Sequence, residues 1–328
     1  MIECRPLAPS EFPAWDAFVE SSDNGTLFHT SRWLAAVAGE FTIHACFSGA
    51  KLVAGMPIAR HRRDGVRTVF QPPLTPYLGV VWSPQSNKTV ARRSLAKEVA
   101  SALAAAVLRD HDSVTINFSP EWDDLHGFMW AGFSTAVRYT YMLPLADLKA
   151  VWEEMDGRRR NDIRRAEKEG VIVRQTDDHE AVLRLVGTTF RRQGMTPGFF
   201  NAARKIHAIA ETAQFFAYQP NDETPVAAVY LVWDRRRAYY LLGGYNEKRA
   251  HGGAHALTMW RAIEFAAQRG LQQFDFEGSQ IPQVEKYFRK FGGELTPYYR
   301  ASWTSPRARL IGDAMRVARR VLRPFRKS

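Results

Sequence analysis

The stretch AYYLLGGYNEKRAHGGAHALTMWRAIEFAAQRGLQQFDF, residues 238–276, decides the fold. It begins as a strand over Ala238–Leu242 and passes through a glycine-rich turn into a helix over residues 254–269. Gly270 then caps that helix, and Phe274-Asp275-Phe276 alternates like a closing strand. A strand, a helix and a second strand in this order predict an α/β unit.

The same element order occurs twice in the chain, whose 328 residues favour two domains. In each half, three strand-like runs precede a helix and one follows it, with Leu52-Val53-Ala54 and Val226-Ala227-Ala228 at matching places. We therefore predict an α/β fold of two tandem lobes, each a mixed β-sheet flanked by helices. The first lobe covers residues 1–146 and the second residues 147–304, opening with a helix over 147–169.

The turn before the second-lobe helix, Arg249-Ala250-His251-Gly252-Gly253-Ala254-His255, has the features of an anion site. Glycines let the backbone approach a ligand closely. The helix that follows presents unpaired N–H groups and a positive dipole end to phosphate oxygens. Arg249 adds a bidentate donor. An ordinary glycine-rich start of a helix is the alternative interpretation.

Arg249, Gly252 and Ala254 form the pattern Arg-x-x-Gly-x-Ala, which resembles the acyl-CoA pyrophosphate loop of GNAT acyltransferases. The preceding Leu241–Tyr245 lies where those enzymes separate two strands to admit a pantetheine arm, although a bulge at its two glycines is the alternative. The resemblance implies two GNAT-like lobes and acyl-CoA, such as acetyl-CoA, as co-substrate. Arg249, Gly252, Gly253 and Ala254 are then the donor-binding residues.

Three more segments, residues 159–171, 274–279 and 287–293, resemble the FemAB-like and BioF2-like branch of this superfamily. That branch includes peptidoglycan bridge-forming aminoacyltransferases. The similarity covers about residues 150–300, and Phe28-His29-x-x-x-Trp33 matches the first lobe loosely. It implies an N-acyltransferase for an amine on a cell-envelope or polysaccharide precursor. An aminoacyl-tRNA-dependent Fem-type enzyme and a catalytically inactive envelope-assembly binding protein are the alternatives.

The first lobe departs from the Fem pattern after Trp33. Fem enzymes that bind a nucleotide-linked muramyl peptide carry a Lys soon after this Trp, whereas here Val37-Ala38-Gly39-Glu40 follows and the first Lys is Lys51. This departure counts against that particular acceptor. The expected acceptor is an amine-bearing molecule, such as a nucleotide- or lipid-linked sugar.

Several side chains are candidates for contacting this acceptor. The resemblance places Arg192 of Thr189-x-x-Arg192 in the acceptor cleft, and a solvated Arg at a helix end is the alternative. Tyr245 and Lys290 are further candidates for substrate binding. Arg160 and Arg164 are four residues apart in a predicted helix, and an anion would relieve their repulsion. A self-neutralised surface helix is the alternative for this pair.

Asp275 and Glu277 are the candidate catalytic residues. They alternate with two phenylalanines, so a strand would present both carboxyl groups on one face. Acylation of an amine needs a base to take the proton of the attacking nitrogen, and a carboxylate with a raised pKa can do this. The alternative is a structural pair tied to Arg289 or Lys290.

Composition gives expectations about the cellular compartment of the protein, about bound metal and about contact with a membrane. Cys4 and Cys46 could form one disulfide, but the absence of a CxxC pattern favours a reducing cytoplasm, and no zinc-ligand spacing indicates a metal. We find no signal-peptide pattern and no apolar run of membrane-spanning length. Residues 305–328 hold seven of the net +11 charges in an amphipathic pattern, which predicts contact with the inner face of a membrane or docking onto the body.

Overall fold

A computed structural model describes residues 2–192, 198–246, 252–278 and 280–322, without the side chains of Arg192 and residues 316–322. The strands, in chain order, are β1 Ile2–Pro6, β2 Glu40–Ser48, β3 Lys51–Arg63, β4 Val66–Phe70, β5 Val81–Trp82, β6 Ser113–Asn117, β7 Ser134–Pro144, β8 Ile172–Gln175, β9 Thr212–Tyr218, β10 Ala227–Trp233, β11 Arg237–Tyr245, β12 Gln273–Asp275 and β13 Glu294–Thr304. The α-helices are α1 Phe12–Ser21, α2 Ser31–Val37, α3 Thr89–Asp110, α4 His126–Trp130, α5 Leu148–Glu154, α6 Gly157–Lys168, α7 His179–Arg192, α8 Phe200–Ile209, α9 Ala254–Gln268, α10 Pro282–Arg289 and α11 Pro306–Leu322.

The chain divides into two compact units, one of residues 1–137 and 298–328 and the other of residues 138–297. These bounds differ from the predicted lobes at residues 146/147 and 304/305. The end of β13 belongs to the first unit because Arg300–Thr304 pairs with β6 there. The first residues of α11 also contact the first unit, where the Arg307 guanidinium lies 3.8 Å from the Asp112 carboxylate.

Each unit contains a mixed sheet, as the sequence predicts. In the first unit the strands run β1-β2-β3-β4-β6 and then the end of β13, and β4 is parallel to β6. In the second unit they run β7-β12-β11-β10-β9-β8, and β11 is parallel to β12. The helix between the two parallel strands is α3 in the first unit and α9 in the second. This recurrence confirms the tandem α/β fold.

Local chemistry explains two departures from the predicted elements. The helix predicted over residues 147–169 is divided into α5 and α6, because the Asp156 carboxylate accepts hydrogen bonds from the N–H groups of Arg158 and Arg159 and so starts a new helix.

Cys4 and Cys46 are register partners on β1 and β2 and form a disulfide. The sequence allowed this pairing but favoured a reducing cytoplasm, whereas the structure contains the disulfide.

Apolar side chains fill each unit separately. In the second unit, β10 is buried along its whole length, and α9 packs the inner face of its Ala-rich sequence on β9 and β10. Such continuous burial is expected for a central strand covered on both faces. Within the part of the chain that is described, no helix is long and apolar enough to cross a membrane.

Candidate active site

β11 and β12 are paired over three residues and then separate. Arg237–Tyr239 pairs in parallel with Gln273–Asp275. Beyond Asp275 the chain remains hydrogen-bonded to β7, because the Phe276 N–H donates to the Tyr141 carbonyl at 3.1 Å. In the described residues, β11 continues to Tyr245 with a partner only on its β10 side. The separation exposes a sheet edge where the resemblance places the pantetheine arm.

A cavity of about 520 Å³ occupies this separation. Its walls come from β11 beyond its pairing with β12, the chain after β12, the end of α7, α10 and the start of α9. Most of its lining is aromatic or aliphatic, and a few polar groups project among these side chains. The lining residues are Thr189, Phe190, Tyr240, Leu241, Leu242, Gly243, Gly244, Tyr245, His255, Phe276, Glu277, Gly278, Ile281, Gln283, Val284, Tyr287 and Phe288. Small-molecule sites commonly combine this size with these surroundings.

Gly243 and Gly244 serve two separate purposes in β11. A Cβ at Gly243 would overlap the hydroxyl end of Tyr240, so the glycine leaves room for that ring beside the cavity. A Cβ at Gly244 would lie 2.8 Å from the Cα of Val186, so this glycine lets α7 pack directly on the strand. The Tyr245 N–H also donates to the Thr189 hydroxyl at 3.1 Å, which fixes the end of β11 to α7.

Glu277 lies beyond the end of β12 in a left-handed conformation, with φ of 58°, and lines the cavity. Its Oε1 is buried and has no hydrogen-bond partner among the described residues. Burial raises the pKa of the Glu277 carboxyl well above its ordinary value, and the nearby charge of Asp275 raises it further. The carboxyl group is therefore available to a ligand in the cavity.

Asp275 is placed differently, although it is only two residues away. Its side chain is fully buried at the end of β12. Its Oδ1 accepts hydrogen bonds from the Thr140 hydroxyl at 2.6 Å and the Glu277 N–H at 2.7 Å, and its Oδ2 lies 3.8 Å from the Arg237 guanidinium. The expected single face for both acids is not formed, because the strand ends between them. The partner of Asp275 is Arg237, whereas Arg289 pairs with Glu285.

His255, on the first turn of α9, is a cavity residue that the sequence did not single out. Its Nδ1 lies 2.5 Å from the Tyr287 hydroxyl, and its Nε2 is buried without a partner in the described structure. Burial lowers the pKa of His255 to about 4, and the positive charge of Arg159 contributes. Arg159 is itself buried, with its guanidinium 4.4 Å from the centroid of the Tyr287 ring.

The predicted donor loop is described only from Gly252 onwards, and Arg249 lies outside the described residues. Gly252 is exposed in the turn, Gly253 is the buried N-cap of α9, and Ala254 is its first residue. A Cβ at Gly253 would collide with the Asp162 carbonyl oxygen, so this glycine lets the start of α9 pack against α6. The N–H groups of this first helical turn, which a helix does not pair internally, remain the candidate phosphate site.

The candidate acceptor residues do not come together as one cluster. Tyr245 lines the cavity, whereas the Arg160 guanidinium donates to the Glu153 carbonyl and the Arg164 guanidinium lies 5.3 Å from the Trp152 ring centroid. The Lys290 carbonyl accepts from the Asp156 N–H at 3.1 Å. Arg192 ends α7, and its side chain lies outside the described part of the chain.

Nowhere in the described ranges do three or more acidic, histidine or cysteine side chains converge as metal ligands.

Comparison with known proteins identifies the class of the second unit. Residues 157–289 match the family model of the acetyltransferase (GNAT) domain. No curated protein gives a sequence match. The matched range contains α6, the separated strands, α9 and the cavity, so the GNAT domain and the candidate site coincide.

Solved structures extend the likeness to nearly the whole chain. FemX superposes with a TM-score of 0.64 at 14% identity, covering 90% of this chain and 96% of its own. A tandem GNAT protein from the clavulanic acid biosynthesis pathway has a TM-score of 0.52 at 12% identity, covering 93% and 98%. L-PGS, a lysylphosphatidylglycerol synthetase from Bacillus licheniformis, has a TM-score of 0.53 at 15% identity, covering 90% and 92%.

These comparisons confirm the resemblance stated from the sequence: the protein has a FemAB-like GNAT fold. A GNAT domain and Fem-type neighbours support an N-acyltransferase in general. GNAT domains generally use acyl-CoA as the acyl donor.

Proposed function

We propose that this protein transfers an acyl group from acyl-CoA to a primary amine, and that the reaction takes place in the cavity between β11 and the chain after β12. The observation that carries this proposal is the buried, unpaired Glu277 Oε1 at the point where the strands separate. A carboxyl group left without a partner costs free energy in the folded protein, so a role in ligand binding or proton transfer accounts for its presence.

The acyl donor fits the geometry of this region. An extended chain can lie along the free edge of β11, where backbone groups are available for hydrogen bonds to its amides. The first turn of α9, with Gly252, Gly253 and Ala254, would hold the pyrophosphate, and Arg249 would add charge to it. The thioester would then lie in the cavity beside Glu277.

The reaction needs one proton acceptor. The amine nitrogen attacks the thioester carbon, a C–N bond forms, and the C–S bond breaks with its electrons on sulfur. The proton lost by nitrogen passes to the Glu277 carboxylate, and the released thiolate takes up a proton to become the free thiol. A base with a raised pKa suits this step because its pKa lies closer to the pH at which the enzyme works.

We assign proton acceptance to Glu277 and a positioning role to Asp275. The Asp275 oxygens already hold Thr140, the Glu277 backbone and Arg237, whereas Glu277 reaches the cavity. By fixing the Glu277 N–H, Asp275 holds the left-handed turn that directs the chain away from β11. Tyr245 would contact the acceptor at the cavity wall.

The expected acceptor is an amine of the cell envelope or of a polysaccharide precursor. The likeness to FemX and to a lysylphosphatidylglycerol synthetase supports an acceptor of this kind. Arg192, Arg160, Arg164 and Lys290 remain candidates for contacts with anionic parts of such a molecule.

Thermal unfolding with acetyl-CoA, longer acyl-CoAs and aminoacyl-tRNA tests the donor. A donor present at 100 times its dissociation constant should add about 2.7 kcal/mol to the free energy of unfolding. Acyl-CoA should stabilise the protein, and free thiol should be released when an amino sugar or amino acid serves as acceptor. Stabilisation by aminoacyl-tRNA alone would instead favour a tRNA-dependent Fem-type reaction, and stabilisation by none would favour a binding protein without catalysis.

A further inference from the structure

A second polar atom without a partner lines the same cavity as Glu277. It is the Nε2 of His255, which is buried and contacts no hydrogen-bonding group in the described structure. The other ring nitrogen, Nδ1, is already engaged by the Tyr287 hydroxyl at 2.5 Å. A ligand entering the cavity can therefore meet only Nε2 of this imidazole.

The contact between His255 and Tyr287 determines what Nε2 offers. Burial lowers the pKa of His255 to about 4 and raises the pKa of Tyr287, so at neutral pH both groups are uncharged and each carries one hydrogen. When the hydroxyl donates to Nδ1, the imidazole hydrogen must reside on Nε2. Nε2 then presents a hydrogen-bond donor that has no acceptor among the described residues.

The charges around the cavity indicate which ligand atom this donor would meet. The Arg159 guanidinium lies 4.4 Å from the centroid of the Tyr287 ring and its positive charge acts on His255, while Glu277 supplies the acidic group of the cavity. An oxygen that gains negative charge is stabilised by a donor near a cation, whereas an amine is stabilised near a carboxyl group. In a thioester, that oxygen is the carbonyl oxygen.

We propose that the Nε2–H of His255 hydrogen-bonds the carbonyl oxygen of the donor's acyl group, and that Tyr287 positions this hydrogen by donating to Nδ1. The assignment rests on the proposed acyl-CoA function, which names the thioester. It gives the cavity a binding group for each reactant, with His255 at the carbonyl oxygen and Glu277 at the amine.

The test compares two ligands that differ at the carbonyl group. Acetyl-CoA has the carbonyl oxygen, and S-ethyl-CoA has a methylene in its place. Calorimetry measures the dissociation constant of acetyl-CoA divided by that of S-ethyl-CoA. This ratio should rise roughly fivefold or more in His255→Ala, because acetyl-CoA alone loses one hydrogen bond. His44→Ala is the matched control, because His44 is also buried with a pKa lowered to about 4 but belongs to the first unit. Its ratio should equal that of the wild type.

Nitrogen-15 NMR of the unaltered protein gives a second measurement that does not depend on the folding of a variant. Nε2 of His255 should carry the hydrogen in the acetyl-CoA complex, and Tyr287→Phe should populate the other tautomer. An unprotonated Nε2 in that complex, or an unchanged ligand ratio in His255→Ala, would overturn the role of His255 while leaving the donor in place. If neither ligand binds the wild-type protein, the acyl-CoA function fails and the role of His255 fails with it.

Discussion

The same two strands have contrasting properties on either side of Tyr239. Where β11 and β12 are paired, Asp275 is fully buried and holds Arg237 and Thr140. Where they separate, Glu277 and His255 each keep a buried atom without a partner in the described structure. Under the proposed function, the paired segment stabilises the fold and the separated segment performs the chemistry, although the two acids are only two positions apart in the sequence.

The largest effect should come from replacing the acid in the separated segment. Glu277→Gln keeps the shape of the side chain but cannot accept a proton, so turnover should fall by about 10²–10⁴-fold. Thiol release from acetyl-CoA measures the rate, and Glu285→Gln is a control because Glu285 already accepts from the Tyr141 hydroxyl. A rate for Glu277→Gln within twofold of the wild type would exclude this carboxyl group as the base.

The same variant should respond to pH in a defined direction. The folded-state pKa of Glu277 is raised, so the native protein holds an extra proton between the unfolded and folded pKa values, and its stability falls as pH rises through that window. Glu277→Gln lacks this group. Urea unfolding should therefore show the variant gaining stability relative to the wild type as pH rises above about 4.5.

The acid in the paired segment should matter for folding. Asp275→Ala leaves the buried Arg237 without its nearest carboxylate, and removing one partner of a buried pair costs about 3–5 kcal/mol. Urea unfolding at neutral pH measures this loss. If Asp275→Ala is as stable as the wild type and catalytically inactive, the roles assigned to the two acids should be exchanged.

A smaller effect is expected at the donor loop. Arg249→Ala should weaken acyl-CoA binding by about 1.5–3 kcal/mol, because a hydrogen bond to a charged group is lost. Calorimetry with acetyl-CoA checks this, and Arg235→Ala, in the turn before β11, is a suitable control. Equal affinities in wild type and Arg249→Ala would show that the helix N-terminus alone binds the phosphates.

The smallest effect should come from the basic tail. Ala308 is buried while Leu310 is 71% exposed, so the start of α11 docks by one face and leaves another free. A chain ending at Ser305 should lose sedimentation with anionic vesicles, because each basic residue near such a surface contributes about 1 kcal/mol. Its melting temperature should change little. A large fall in melting temperature, with no vesicle binding by the full chain at any salt, would assign the tail to the fold alone.

The sequence predicted the elements well because strand alternation, glycine turns and helix caps act locally. It predicted the tandem α/β order and the separation of strands near Leu241–Tyr245. It did not predict that β12 would end between Asp275 and Glu277, because the left-handed turn depends on contacts of Gly278 with the backbone of Tyr139 on another strand. The different environments of Asp275 and Glu277 therefore depend on residues that are distant in the sequence, and the spacing of the two acids could not reveal them.

The sequence also did not predict that His255 and Arg159 contribute to the candidate site, and the reason is physical. His255 gains significance only from Tyr287, which is 32 residues away. Arg159 adjoins the predicted Arg160, but its guanidinium lies over the rings of Tyr287 and Phe291. The one available signal was that Tyr287 lies within a Fem-like segment and His255 directly follows the predicted donor loop.

The most direct test of the account is the pH dependence of kcat/KM for acetyl-CoA, measured with the fastest amine acceptor from a panel of amino sugars and amino acids. In the wild type, kcat/KM should rise with pH through an apparent pKa above 4.5, as the Glu277 carboxyl loses its proton. In Glu277→Gln, that step should disappear and the rate should be low at every pH. Retention of the wild-type rate and the same profile by Glu277→Gln would contradict the assignment of the chemistry to the separated segment.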